Sequence, residues 1–171
     1  MPTVIRAADL EPRPWPNGLG ITRDIAAGEG WLITVADLAG DAAFSRFPDT
    51  DRIFTLLGGA GVTLELEGRP PLACLPWVPA GFPGDVPTFC RMGGGPARAF
   101  NVMARRGHEA RVAVRSLAAG HAVHATPRCA AVFCAAGSLM AGGERLEAGD
   151  TMLHPGAAAI EGPGIAILVD L

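Results

Sequence analysis

Phe54-Thr55-Leu56-Leu57-Gly58-Gly59-Ala60-Gly61-Val62-Thr63-Leu64-Glu65-Leu66-Glu67-Gly68 is the stretch whose reading decides the fold. An apolar run comes first, a glycine-rich break follows, and Val62 to Glu67 then alternates apolar and polar residues. Period two is the mark of a half-buried strand, with Val62, Leu64 and Leu66 inward and both glutamates in water. With no following helix or Lys, Gly58-Gly59-Ala60-Gly61 is not a phosphate loop, and it reads as a hairpin turn. A weaker copy of the unit returns later in the chain. Cys129 to Ala136 runs into Gly137, then Ser138-Leu139-Met140, then Gly142-Gly143, then a strand ending Leu153-His154-Pro155. The first copy ends Trp77-Val78-Pro79; Gly58 to Gly137 is 79 residues and Pro79 to Pro155 is 76. Two copies of one strand-turn-strand unit predict two small antiparallel β-barrels packed together.

The rest of the chain agrees. It has 171 residues, 23 of them Gly and 15 Pro, and its longest stretch free of both is His108 to Ala119. Even there Arg111-Val112-Ala113-Val114-Arg115 alternates like a strand. Trp31 to Ala36 and Arg52 to Leu57 read as more fully buried strands. Many short strands between Gly and Pro turns indicate an all-β protein with little helix. Gly149-Asp150, four residues and Pro155 resemble the second motif of cupins, with the final Gly one residue early. The expected fold is therefore a bicupin, a single unit over residues 1–171. Its N-terminal barrel with motif loops covers about 1–103 and its C-terminal barrel about 104–171.

Composition removes several classes of function. Net charge is −3, all 14 basic residues are Arg, and aromatics are 6% of the chain. No basic run exceeds Arg105-Arg106, so nucleic acid is not an expected partner. Cysteines at 74, 90, 129 and 134 form no C-x-x-C pair, and they read as free, buried thiols in a reducing compartment. The uncharged stretch Cys129 to Gly143, which no other exceeds in length, is shorter than the roughly 20 residues that span a bilayer. With no basic start and apolar core at Met1 to Pro12, the reading is cytoplasmic, with no membrane partner. His121 and His124 are three apart, which sends them to opposite faces of a strand. No metal is expected at His108, His121, His124 or His154, and no other cofactor is indicated. There is no Gly-x-Ser-x-Gly elbow and no Cys beside a His in sequence.

Three polar clusters remain. Asn occurs only twice, at Asn17 within Trp15-Pro16-Asn17-Gly18-Leu19-Gly20-Ile21-Thr22-Arg23-Asp24, and at Asn101 within Phe100-Asn101-Val102-Met103-Ala104-Arg105-Arg106. The third cluster is Phe44-Ser45-Arg46-Phe47-Pro48-Asp49-Thr50-Asp51-Arg52. In extended chain Arg52 shares a face with Phe54 and Leu56, Arg23 with Ile21 and Ile25, and Asn101 with Met103 and Arg105. A cation in a barrel wall must be paired, because burying it alone costs several kcal/mol. Either Asp24, Asp51 and Asp85 pair with these arginines, or one or two guanidinium forks stay free for a carboxylate. The expected pocket is lined by Arg23, Arg52, Asn101, Met103 and Arg105, of which Arg105 rather than Arg106 faces inward. Trp15, Asn17 and Thr22 close over it as a stiff lid between prolines.

These clusters resemble the HutD/Ves family. The matching elements are Trp15 to Asp24, Trp31 with its strand, Phe44-Ser45-x-Phe47-Pro48, Asp51-Arg52, Leu57-x-Gly59-x-Gly61, Phe82-Pro83-Gly84-Asp85 and Asn101 to Arg106. They come in family order over roughly residues 15–106. Leu19, Asp49 and Ala99 depart from the pattern, two where glycine and one where an acidic residue is usual. The resemblance implies a bicupin without assigned catalysis, associated with bacterial histidine utilisation as a regulator or metabolite-binding governor. It adds Asp51, Phe82 and Asp85 to the ligand-binding residues. The leading expectation is a metal-free protein that binds a small anionic metabolite, with a dicarboxylate such as N-formylglutamate implied by the resemblance alone. The alternative is a cofactor-independent isomerase, lyase or hydrolase acting on a small carboxylate, with Asp51 or Asp85 as base and Arg23 or Arg52 as electrophile. A third reading is an interaction module whose clusters only hold loops together. The sequence leaves the oligomeric state open, a homodimer included.

Overall fold

The computed structural model describes all 171 residues. It contains eighteen strands and one short 3-10 turn, Ala7–Asp9, and every ladder between strands is antiparallel. The chain divides into two compact units, Glu11–His108 and a second made of Met1–Leu10 with Glu109–Leu171. No helix is long and apolar enough to cross a membrane.

In the Glu11–His108 unit a six-stranded sheet runs Pro12–Pro14, Gly20–Gly28, Trp31–Leu38, Ala97–Arg105, Thr50–Leu56, Ala80–Pro83. A four-stranded sheet runs Ala42–Ala43, Thr88–Met92, Val62–Leu66, Leu72–Cys74. Leu38, Phe54 and Leu56 from the first pack with Val62, Leu64 and Cys90 from the second into one core. Period two holds over Val62–Leu66: Val62, Leu64 and Leu66 are buried and Glu65 is exposed.

Two expectations change. First, no sheet closes into a barrel. The six-stranded sheet ends in strands bearing Pro12, Pro14 and Pro83, and a residue without an N–H cannot extend a ladder. Second, Gly58-Gly59-Ala60-Gly61 is not a hairpin turn. Thr50–Leu56 pairs with Ala97–Arg105 and Ala80–Pro83, whereas Val62–Leu66 pairs with Thr88–Met92 and Leu72–Cys74. The glycines carry the chain from one sheet to the other, with positive φ at Gly58, Gly59 and Gly61.

The second unit repeats this pairing. Cys129–Ala141 pairs in its first part with Gly164–Asp170 and Thr151–Leu153, and in its last part with Glu144–Glu147 and Ala159–Glu161. Here the strand passes between partners without a break. Gly137 at φ 72° bends it, where a sequence-based turn was expected, and the tight turn falls at Gly142-Gly143. Thr3–Ile5 adds to Thr151–Leu153, a pairing across the whole chain that no local pattern announces. Val132, Leu139, Leu146, Met152, Ile160 and Leu168 form this unit's core. All four cysteines are free and buried.

Candidate functional site

Strand alternation and register assemble one polar face in the Glu11–His108 unit. Asn101 lies opposite Thr34 on the neighbouring strand, and Met103 lies opposite Arg52 on the other side. Thr22 lies opposite Ala36 one strand further out. These residues line a cavity of about 400 Å3. Its walls come from the segment Arg13 to Asn17, which starts in the edge strand Pro12–Pro14, and from the connection bearing Phe44, Ser45 and Phe47.

Arg52 sits at its centre. The residue is only 7% exposed, and no carboxylate lies within ion-pair distance of it. One guanidinium nitrogen, Nη2, donates to Asn101 Oδ1 at 3.0 Å, and the buried Nε has no partner. The guanidinium carbon stands 4.8 Å from the Phe44 ring centroid, 5.2 Å from Phe82 and 5.7 Å from Phe47. Burial pushes its pKa down to about 10, so it remains charged at neutral pH. The result is a caged cation with one amide acceptor and no counter-ion.

Around it, Trp15 Nε1 donates to Thr22 Oγ1 at 2.8 Å, and the Trp15 ring meets Phe44 edge-on. Asn17 Oδ1 accepts from the Leu19 N–H at 2.9 Å, so this side chain serves the turn in which Gly18 has positive φ.

Of the residues read from sequence, the structure brings Trp15, Asn17, Thr22, Arg52, Asn101 and Met103 around this cavity. Phe82 is buried behind Arg52 and not in the lining. Four residues lie elsewhere. Arg23 pairs with Asp37 at 2.8 Å, because successive strand residues face opposite ways and Thr22 holds the inward position. Arg105, the last residue of its strand, is exposed beyond the cavity. Arg106 also stays outside: its fork grips Asp85 with two bonds of 2.7 Å and reaches Asp51 at 3.3 Å. Asp51 and Asp85 are therefore held at the surface, and Asp85 is lowered to about 2 by the Arg106 hydrogen bonds. Thr34, Phe44, Ser45 and Phe47 line the cavity but were not named from sequence as site residues. Their signal was present, since Phe44-Ser45-x-Phe47 stood in a polar cluster and Thr34 is the one hydroxyl in an apolar run.

A second cavity of about 490 Å3 opens among Ile21, Leu38, Leu57 and Ala97, with Asp37 and Arg98 at its edge. It is larger, but Asp37 already takes Arg98 at 2.6 Å and Arg23 at 2.8 Å. The uncompensated charge is at Arg52. No group of three or more His, Cys, Asp or Glu residues that could hold a metal ion is present.

The HutD family model matches residues 7–166. An uncharacterized 21.2 kDa protein in the hutC 3' region of Pseudomonas putida is 35% identical over 107 residues, 58% of this chain and 56% of that protein. Protein Ves of Cronobacter sakazakii is 33% identical over 117 residues, 63% of this chain and 65% of that protein. The match thus spans less than two thirds of the length of either relative. HutD from Pseudomonas fluorescens is similar in structure along almost the whole chain. Its TM-score is 0.86 at 28% identity, covering 99% of this chain and 97% of that one. Ylba from E. coli, at 12% identity and a TM-score of 0.78, shares the fold.

Proposed function

The chain belongs to the HutD family, and from that footing we propose that it binds a small carboxylate metabolite at Arg52 as a regulator of histidine or amino-acid utilisation, without turning it over. The observation that carries this reading is the buried guanidinium without a counter-ion. Desolvating a charge costs several kcal/mol, and exposed ring faces return about 0.5–1 kcal/mol each, up to about 2 when dry. A carboxylate restores the balance, because its two oxygens match a planar fork. Thr34 and Ser45 add hydroxyl donors in the same lining, while Arg13 at its edge is already paired with Asp24; the choice of a dicarboxylate such as N-formylglutamate follows from the family. The solved HutD of P. fluorescens is described for a formate condition, and formate is the smallest carboxylate.

Turnover is the weaker reading. The lining holds no carboxylate, imidazole or thiol to act as a base, and Asp51 and Asp85 are engaged by Arg106. The equivalent pairing order of the two units also supports reading them as two cupin-type copies.

Thermal shift tests the proposal. Ligand at a hundred times its Kd stabilises the fold by about 2.7 kcal/mol. For a chain of this length that raises Tm by about 5–10 °C. N-formylglutamate is expected to give such a shift, and Arg52→Ala to abolish it. The neutral diamide is expected to do nothing. Equal shifts by acid and amide would overturn the anion reading.

A further inference from the structure

Trp15 is held by contacts to four residues, Gly18, Gly20, Thr22 and Phe44. Its backbone N–H donates to Gly20 O at 2.8 Å, and its carbonyl accepts from Gly18 at 3.0 Å. Its indole N–H is spent on Thr22. Its ring meets Phe44 at 84° and a centroid distance of 6.3 Å. Its ring also lies against Gly20: a Cβ there would sit 2.6–2.7 Å from Cδ2, Cε2 and Cε3 of the indole. Gly20 and Thr22 share a strand face, so the indole spreads along that face with its nitrogen at one residue and its carbocycle at the other. Pro14 and Pro16 fix the backbone on either side.

We propose that Trp15 is the wall that limits ligand length in the Arg52 cavity, and that position 20 is glycine because the indole rests on it. This rests on the carboxylate reading above. Because the indole N–H is bonded to Thr22, the edge that Trp15 offers the cavity is carbon. It closes the space without recognising a polar end. Phe44 touches both ends of the arrangement, with the Arg52 guanidinium 4.8 Å from its centroid and the indole on its other contact. A ligand anchored by a carboxylate at Arg52 therefore has a fixed distance to fill. A methyl group at position 20 would drive the indole off its bed toward Phe44 and the cavity, while truncation of the indole would remove the wall.

Calorimetric titration with malonate, succinate, glutarate and adipate tests this. Wild type is expected to show an affinity maximum at one chain length and a fall beyond it. A methylene in a fitted pocket is worth about 10–200-fold. Trp15→Ala is expected to recover the diacids beyond the maximum by at least about 10-fold relative to malonate. Gly20→Ala is expected to move the maximum to a shorter diacid, leaving malonate within about 3-fold, a change smaller than one methylene. Trp15→Phe, which keeps a flat ring, should retain the cut-off. Melting curves establish that each variant is folded, and Trp15→Ala decides the matter should Gly20→Ala not fold. If wild type binds a diacid and the length preference is the same in Trp15→Ala, the wall is refuted while the anion site stands. If wild type binds none of the four, both fall.

Discussion

At the residue scale the protein carries an internal conflict at Arg52. Removing a guanidinium from water without a counter-ion costs several kcal/mol, and one amide bond with three ring faces recovers only part of it. The free protein should be more stable with an apolar side chain of similar length there. Arg52→Met is expected to leave unfolding stability unchanged or to raise it by about 1–4 kcal/mol, the range seen when buried ionic groups give way to packed apolar ones. It should also eliminate the ligand-dependent rise in Tm. Urea unfolding of the ligand-free variant checks the first part. A loss of stability beyond about 2 kcal/mol would mean the cation is a structural pin, as its hydrogen-bonded partner Asn101 would then be left bare. Sequence made this residue legible, because alternation alone puts Arg52 and Asn101 on inward faces. It did not make Arg23 or Arg106 legible. Their partners, Asp37, Asp51 and Asp85, sit on neighbouring segments whose register is a tertiary property. Asp49 is an intermediate case: its φ of 52° explains why glycine is the usual residue there, and Asp is among the few side chains that tolerate that region.

At the element scale the strands were readable and their partners were not. Period two located Val62–Leu66 and Arg111–Leu117, but a glycine after an apolar run looks the same whether it closes a hairpin or passes the chain to another sheet. Gly58 and Gly137 occupy equivalent points in the two units and solve the passage differently, the first by ending its strand and the second by bending it. The bend is tight. A Cβ on Gly137 would stand 2.9 Å from Pro163 O and 3.0 Å from Gly164 Cα, whereas one on Gly143 would meet nothing within 4 Å. Both residues have positive φ, 72° and 86°. Gly143→Ala should therefore cost only the conformational penalty, about 1–2 kcal/mol. Gly137→Ala should add about 1–3 kcal/mol of overpacking. Urea midpoints of the two variants measure the difference, and equal losses would show that the strand relaxes around the methyl group.

At the scale of the whole molecule, the chain is anionic overall, yet its structured carboxylates are stabilised by guanidinium and N–H partners in each unit. In Glu11–His108, Asp85 is held at about 2 by Arg106, and Asp37 is lowered chiefly by Arg98, with Arg23 adding to it against burial. In the other unit burial raises Asp150, but the Ala7 N–H, Arg6 and the Glu147 N–H together outweigh it and leave the group lowered. Asp150 thereby pins Met1–Leu10 to the unit it joins, through bonds of 2.9 Å to Ala7 N and 2.8 Å to Arg6. A carboxylate whose folded pKa lies below its unfolded value of about 3.9 stabilises the fold above that value and loses the contribution as pH falls through the folded one. Tm should therefore be flat from about pH 5 to pH 8 and decline from about pH 4 toward pH 2. Asp85→Asn should melt lower at pH 6 and decline less steeply in acid, since one of the linked protons is gone. Asp150→Asn should do the same, and it should also speed amide exchange at Thr3–Ile5 while leaving the amides of Glu11–His108 as they were. A decline of Tm already complete between pH 7 and pH 5 would overturn the assignment of acid sensitivity to these carboxylates. Unchanged exchange at Thr3–Ile5 would mean that the ladder to Thr151–Leu153 holds the N-terminal segment without the carboxylate.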